Sequence, residues 1–309
     1  MTQIPFGTAS TPAQRDVERV LEQAGLAGPA TRFKRLNSGI TNLNWIATTP
    51  GRTVFVKLYG AKTETFINRE ASLDASMLAG ELGVGPRLLW RFTDPGAEVY
   101  EFLEGYRGFT TDDMLDAERV ARLVAHYRAM HEAAPISETR TGFQQLDQRL
   151  ALCRAGNAPL PPDFDELLAQ CARARAAIER AGLDLGPCHN DSYIANFMVN
   201  DSGDVRIIDW EYAANNDRLW DMANIAFAAC DRAAYGDFAR AYVGADDPRA
   251  LARVTLYGGV MGTSWAMWAA LQSMASDIAF DFRKYSIWLA ANGRAMMREA
   301  AWERALDTV

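Results

Sequence analysis

Cysteine is scarce in this chain. Only Cys153, Cys171, Cys188 and Cys230 occur in 309 residues, widely spaced and with no C-x-x-C pair. A disulfide framework and a zinc site are therefore not expected; four buried thiols in a reducing compartment are. Runs of lysine or arginine are missing too, and the formal net charge is −7. A phosphate backbone would be repelled, which speaks against a nucleic-acid partner. The start, MTQIPFGTASTPAQRD, lacks the basic region and apolar core of a signal peptide. One stretch resembles a membrane span, VTLYGGVMGTSWAMWAALQ at 254–272, but Gly, Thr, Ser and Gln interrupt it. It reads as a buried helix, so no membrane partner and a cytoplasmic location are expected. Neither internal repeats nor low-complexity segments occur.

What is present is ordinary globular composition, 49% hydrophobic and 23% charged, in a chain long enough for two domains or two lobes. TPAQRDVERVLEQAGL, 11–26, has helical spacing and a start signal, Thr11 followed by Pro12. TRFKRLN, LNWIATT and RTVFVKLYG alternate like strands and are joined by NSGIT and a Pro50-Gly51 turn. TETFINREASLDASMLAGELG reads as one helix ending at Gly83, and GPRLLWRFT and AEVYEFLEG as two further strands. After Gly105 the period becomes helical over 111–134, 143–155 and 163–182. A short β section at 186–210 follows, then nearly continuous helix over 218–305. The expected architecture is α+β, with a small β-rich lobe at 1–103 and a larger, mainly helical lobe at 104–309.

Chemistry concentrates at a few places. Lys57 sits in the alternating run TVFVKLY, where a lysine is usually an exposed charge. Glu70 lies one helix further on. Facing each other, they would form the Lys–Glu pair with which protein-kinase-type enzymes aim an ammonium at nucleotide phosphates. NSGITN, 37–42, offers small residues and exposed backbone N–H groups. Ser38 and Asn42 are candidates there for covering phosphates, with a plain hairpin turn as the competing reading. CHNDSYIANFM, 188–198, and RIIDWEYAANNDRLWDMAN, 206–224, place Asp191, Asn196 and Asp209 at strand edges. Asn196 and Asp209 offer the hard oxygens that Mg²⁺ prefers, which leaves Asp191 free to take a proton from an attacking hydroxyl. Singly, each is equally consistent with turn and capping chemistry.

Together these motifs resemble the choline/ethanolamine kinase branch of the aminoglycoside-phosphotransferase-like kinases. The resemblance runs from about Asn37 to about Tyr285 and is most specific in IDWEYAANNDRLWDMAN, 208–224. It implies the two-lobed protein-kinase-like fold, ATP and Mg²⁺ as cofactors, and a small alcohol as acceptor. HNDSYIAN then resembles the catalytic loop, with Asp191 as base and Asn196 as metal ligand, and Asp209 matches the metal-binding Asp. VYEFLEG, 99–105, is similar to the segment linking the lobes, which makes Glu101 and Leu103 the expected adenine contacts.

The alcohol is read from the C-terminal third. Trp265 and Trp268 lie one helical turn apart, followed by Phe280, Phe282 and Tyr285. Core packing would explain such a stripe. Aromatic faces are also what a quaternary ammonium needs, since it cannot donate hydrogen bonds. The resemblance implies that Trp265, Trp268, Tyr285 and Tyr212 wall the second substrate. It also implies an acid near the ammonium, but Ala228 stands at that position, so either Glu211 or Asp231 replaces the charge, or the cage leans on its aromatic rings, or the substrate is not choline. This departure favours choline or another methylated amino alcohol over ethanolamine. Thiamine is an alternative. Aminoglycosides fit poorly beside a Trp-, Met- and Ala-rich helix, and a protein substrate fits poorly because little chain is left for a peptide platform. A non-catalytic nucleotide- or ammonium-binding protein is the alternative from another class. A homodimer is left open.

Overall fold

The computed structural model describes residues 3–36, 42–60, 67–229, 232–276 and 280–309. Ser38 and most of the NSGITN turn, Cys230 and Asp231 lie outside the described residues.

The N-terminal part holds β1 (Ile4–Pro5), α1 (Pro12–Gln23), β2 (Arg32–Leu36), β3 (Leu43–Thr48), β4 (Thr53–Leu58), α2 (Arg69–Glu81), β5 (Leu88–Phe92) and β6 (Ala97–Glu101). Its six strands form one antiparallel sheet in the order β1-β2-β3-β4-β6-β5. Alternation in β4 buries Val54 and Val56 against Val17, Val20 and Leu21 of α1. Thr11 caps α1 in a full capping box with Gln14, and Pro12 opens the helix. Asn68 caps α2, and Gly83 just past its end takes φ +67°, a conformation that favours glycine.

The C-terminal part begins with β7 (Tyr106–Gly108) and the helices α3 (Ala117–His131), α4 (Gly142–Ala155) and α5 (Phe164–Ala181). Then come β8 (Leu185–Cys188), β9 (Phe197–Asn200), β10 (Val205–Ile207) and β11 (Ala214–Asp217). The chain ends with α6 (Leu219–Ala229), α7 (Arg232–Val243), α8 (Pro248–Ala275), α9 (Phe282–Met297) and α10 (Ala300–Thr308). Two small sheets, β10-β9-β7 and β11-β8, present the loops between β8 and β9 and between β10 and β11 side by side.

The mixed α+β, two-lobed architecture is as expected, but three short strands, β1, β7 and β11, were not legible. The apolar interior forms two clusters, one entirely within the N-terminal sheet and α1, the other spanning the helical part. Ala75 and Ala79 of α2 and Val84 belong to the second cluster, so α2 packs partly on the helical lobe although it precedes the expected boundary at 103. The stretch 254–272 lies inside α8 and is largely buried, with Thr255, Trp265 and Gln272 the partly buried exceptions; among the described residues no helix is long and apolar enough to cross a membrane. Gly262 of α8 meets Gly293 of α9 so closely that a Cβ on Gly262 would stand 2.6 Å from the Gly293 Cα. The two helices therefore touch at backbone distance.

Candidate active site

The loop after β8 is fastened from below by Asp221, in the first turn of α6. Its carboxylate accepts from the backbone N–H groups of His189 (2.7 Å) and Asn190 (2.9 Å), from the Ser192 hydroxyl (2.9 Å) and from His131 Nε2 (3.1 Å). His189 is equally constrained. Its Nδ1 accepts from the Asp191 N–H at 3.2 Å, so Nε2 carries the proton and donates to the Ile208 carbonyl at 2.9 Å. Burial lowers its pKa, and the ring, packed 4.6 Å from Trp210, stays neutral. Asn190 takes φ +66°, stabilised by its side-chain NH₂ donating to Tyr212 O at 3.1 Å and by Asn216 donating to its Oδ1 at 2.8 Å. His131, Cys188 and Asp221 form a buried trio with the residue types of a metal site. Asp221 is already engaged by four donors and His131 by Tyr242 at 2.9 Å, so the trio acts as the hydrogen-bonded base of this loop.

On that base stand the expected residues. Asn196 turns its NH₂ back onto the Asp191 carbonyl at 2.9 Å and the Asp191 carboxylate at 3.4 Å, which leaves its amide oxygen to offer a cation. Asp209 sits just after β10 at φ +68°, a strained conformation of the kind held at functional sites. Lys57 of β4 reaches across from the other lobe to Asp209 at 2.5 Å and to Glu211 at 3.6 Å. Asn42 donates to Glu211 at 2.6 Å. Burial alone would push the Lys57 ammonium down, but Asp209, Glu211 and Glu98 outweigh it and hold the group well above its usual value. Asp209 is likewise drawn below its usual range, against burial, by Lys57. Burial pushes the Asp191 carboxyl well up, and the charges of Asp209 and Glu211 add to this.

One expectation needs correction. Glu70 does not face Lys57: it is exposed and pairs with Arg91 of β5 at 2.8 Å. Spacing placed it on α2 without fixing which way that helix is turned. Glu211, one of the two acids weighed for the ammonium, stands between Lys57 and Asn42. In the linking segment, the Glu101 side chain accepts from Arg87 at 3.0 Å, and the Leu103 carbonyl lies 3.4 Å from the Tyr106 N–H.

Asn42, Asp191, Asn196, Asp209 and Glu211 border one cavity of about 490 Å³, whose lining is otherwise largely aromatic. The ring contacts run without a break from Tyr212 to Trp265 (6.0 Å), Trp268 (5.8 Å), Phe282 (5.9 Å), Phe280 (4.9 Å), Tyr285 (5.6 Å) and Trp288 (5.8 Å, stacked). The expected stripe is thus cavity wall and core edge at once. Trp288 escaped the sequence reading, although it lies at i+3 from Tyr285. Arg149 of α4 also escaped it: the guanidinium is buried 4.2 Å from the Trp265 ring centroid and donates to Ser264 at 2.8 Å. Burial lowers its pKa to about 10, yet it remains a cation at neutral pH. Nothing in its sequence context separated it from a surface arginine.

Comparison with known proteins settles the lineage. The family model for choline/ethanolamine kinase matches residues 33–235. The chain belongs to that family. It is 26% identical over 310 residues to "Probable choline kinase 1" of Arabidopsis thaliana, covering 88% of this chain and 85% of that protein. It is 25% identical over 288 residues to "Ethanolamine kinase 2" of Rattus norvegicus, covering 83% and 74%. A choline/ethanolamine kinase family protein from Mesorhizobium loti superposes with a TM-score of 0.78 at 25% identity, over 97% of this chain and 95% of the other. The fold is therefore the protein-kinase-like one, and family membership makes the chain a phosphotransferase with an alcohol acceptor.

Proposed function

We propose that this protein transfers the γ-phosphoryl group of ATP, with Mg²⁺, to the hydroxyl of choline or a related methylated amino alcohol. The observation that carries this reading is the mixed lining of the cavity. Asp191, Asn196, Asp209 and Glu211 border it, with Asp209 and Glu211 paired to Lys57, and seven linked aromatic rings border it as well. An alcohol with a cationic tail matches such a lining, with its hydroxyl towards Asp191 and its methylated nitrogen against the rings.

The donor set suits the metal. The Asp209 carboxylate and the Asn196 amide oxygen are hard ligands and too few for a closed cage, which leaves positions for phosphate oxygens and water. A bound Mg²⁺ would offset phosphate charge. Lys57 would add its ammonium to that task, and the linking segment at Glu101 and Leu103 would receive the base. Asp191 would orient the alcohol and take its proton as the new O–P bond forms. Positioning and charge stabilisation then account for most of the rate.

Ala228 lines the cavity where the family resemblance calls for an acid. Aromatic faces satisfy a methylated nitrogen without one, whereas a primary ammonium brings N–H donors that need acceptors. The methylated substrate is therefore favoured. The test is ADP release by purified protein with Mg-ATP across choline, mono- and dimethylethanolamine, ethanolamine, thiamine and an aminoglycoside. Turnover should be greatest with choline or a methylated ethanolamine and absent without Mg²⁺. Equal or better turnover with an aminoglycoside would overturn the substrate class. Asp191→Ala should lower kcat by about 10²–10⁴-fold while nucleotide still binds; full activity would remove Asp191 from the role of base.

A further inference from the structure

Beside Lys57 in the sheet stands an acid that belongs to no motif. Glu98 of β6 is completely buried. In the sheet register it stands directly opposite Lys57 of β4 on one side and Arg91 of β5 on the other. Residues directly opposite in antiparallel strands project from the same face with Cβ atoms about 5 Å apart. Arg91, Glu98 and Lys57 thus form a row of alternating charge across three strands, and Glu70 of α2 joins only at its outer end, on Arg91 at 2.8 Å. Two phenols hold the Glu98 carboxylate in place: Tyr59 donates to Oε1 at 2.8 Å and Tyr100 to Oε2 at 2.7 Å. The Tyr100 oxygen also lies 3.1 Å from Ser76 Oγ of α2. Burial and the Glu98 charge push both phenols up, so each remains a proton donor.

We infer that Glu98, not Glu70, is the carboxylate that positions the Lys57 ammonium for the nucleotide phosphates. The inference rests on the nucleotide-dependent reading above. Asp209 and Glu211 are the nearer acids, but they belong to the other lobe, and Asp209 is the residue that would serve a cation. Glu98 shares a sheet with Lys57, so its relation to the ammonium holds whatever the two lobes do relative to each other. A fully buried carboxylate with two dedicated donors is also costly unless its charge is used, and Lys57 and Arg91 are the cations opposite it.

The test compares Glu98→Gln with Glu70→Gln in the full chain. Affinities for Mg-ADP and for adenosine are measured by calorimetry, and kcat and KM for ATP are measured alongside. Lysine positioning acts on phosphates only, so the ratio of the two affinities reports it while a general loss of structure moves both together. Glu98→Gln should narrow the ratio about tenfold, with adenosine binding unchanged and KM for ATP raised, the size expected for one charged interaction. Glu70→Gln should leave the ratio within about twofold, as for an exposed pair. If Glu98→Gln does not fold, Tyr59→Phe, which removes one donor from the same carboxylate, should narrow the ratio about threefold. A ratio unchanged in Glu98→Gln, or in Tyr59→Phe if that variant has to serve, or narrowed by Glu70→Gln instead, overturns the assignment. Equal affinity of the unaltered protein for ADP and adenosine would overturn the nucleotide reading itself, and this assignment with it.

Discussion

At the scale of single residues, the site is defined by which charges are matched and which are left to a ligand. Ala228 is the clearest case. It lines the cavity near Asn224 and Phe227, where a carboxylate would meet a primary ammonium. Ala228→Glu should therefore lower KM for ethanolamine about tenfold relative to KM for choline, the gain expected of a charge-assisted hydrogen bond. Competition assays with the two amines check this; an unchanged ratio would place the nitrogen elsewhere. Trp265 makes the complementary point. Its ring meets Tyr212 and Trp268 edge-to-face and has Arg149 over it. Trp265→Ala should raise KM for a quaternary amine far more than KM for ATP, and an equal rise in both would mean that the ring serves only as packing.

At the scale of elements, the loop after β8 depends on a residue it does not contain. Asp221 of α6 accepts four hydrogen bonds from or beneath that loop. Asp221→Ala would orphan two buried N–H groups and should cost about 3 kcal/mol of stability. It should also lower kcat with little change in KM for the alcohol. Urea unfolding and steady-state kinetics check both. Elements of this kind differ in how well the sequence announces them. Helix α1 was legible because Thr11 and Pro12 mark its start chemically. The sheet was legible because runs such as TVFVKLY, which contains β4, alternate. Strands β7 and β11 were not, being three and four residues long with no alternation to read. Asp191, Asn196 and Asp209 could be found because a short loop brings chemical types together in sequence. Glu98, Arg149 and the true partner of Glu70 could not, because each depends on register or helix rotation between elements far apart in the chain.

At the scale of the whole molecule, the scarcity of cysteine becomes a measurable property. Cys153, Cys171 and Cys188 are all buried. Burial pushes the Cys153 thiol up to about 11 and the Cys171 thiol up to about 12, and Cys188 is also raised well above its usual value. A raised thiol pKa means that the thiolate, the reactive form, is nearly absent at pH 8 and grows only several units higher. These three residues should resist a thiol reagent in the native protein at pH 8 and react promptly in denaturant. Peptide mapping of the modified protein checks this, and rapid native labelling at Cys171 would contradict the fold around α5.

The contact between Gly262 and Gly293 reaches furthest. Helices α8 and α9 carry five of the seven linked rings that face the cavity, and these helices touch where neither has a side chain to yield. Their spacing is set by two backbones at their closest approach rather than by adjustable packing. A side chain at either glycine would meet the opposite backbone and force the helices apart. Two positions remote from the cavity therefore hold the width of the chamber, while the rings furnish its lining.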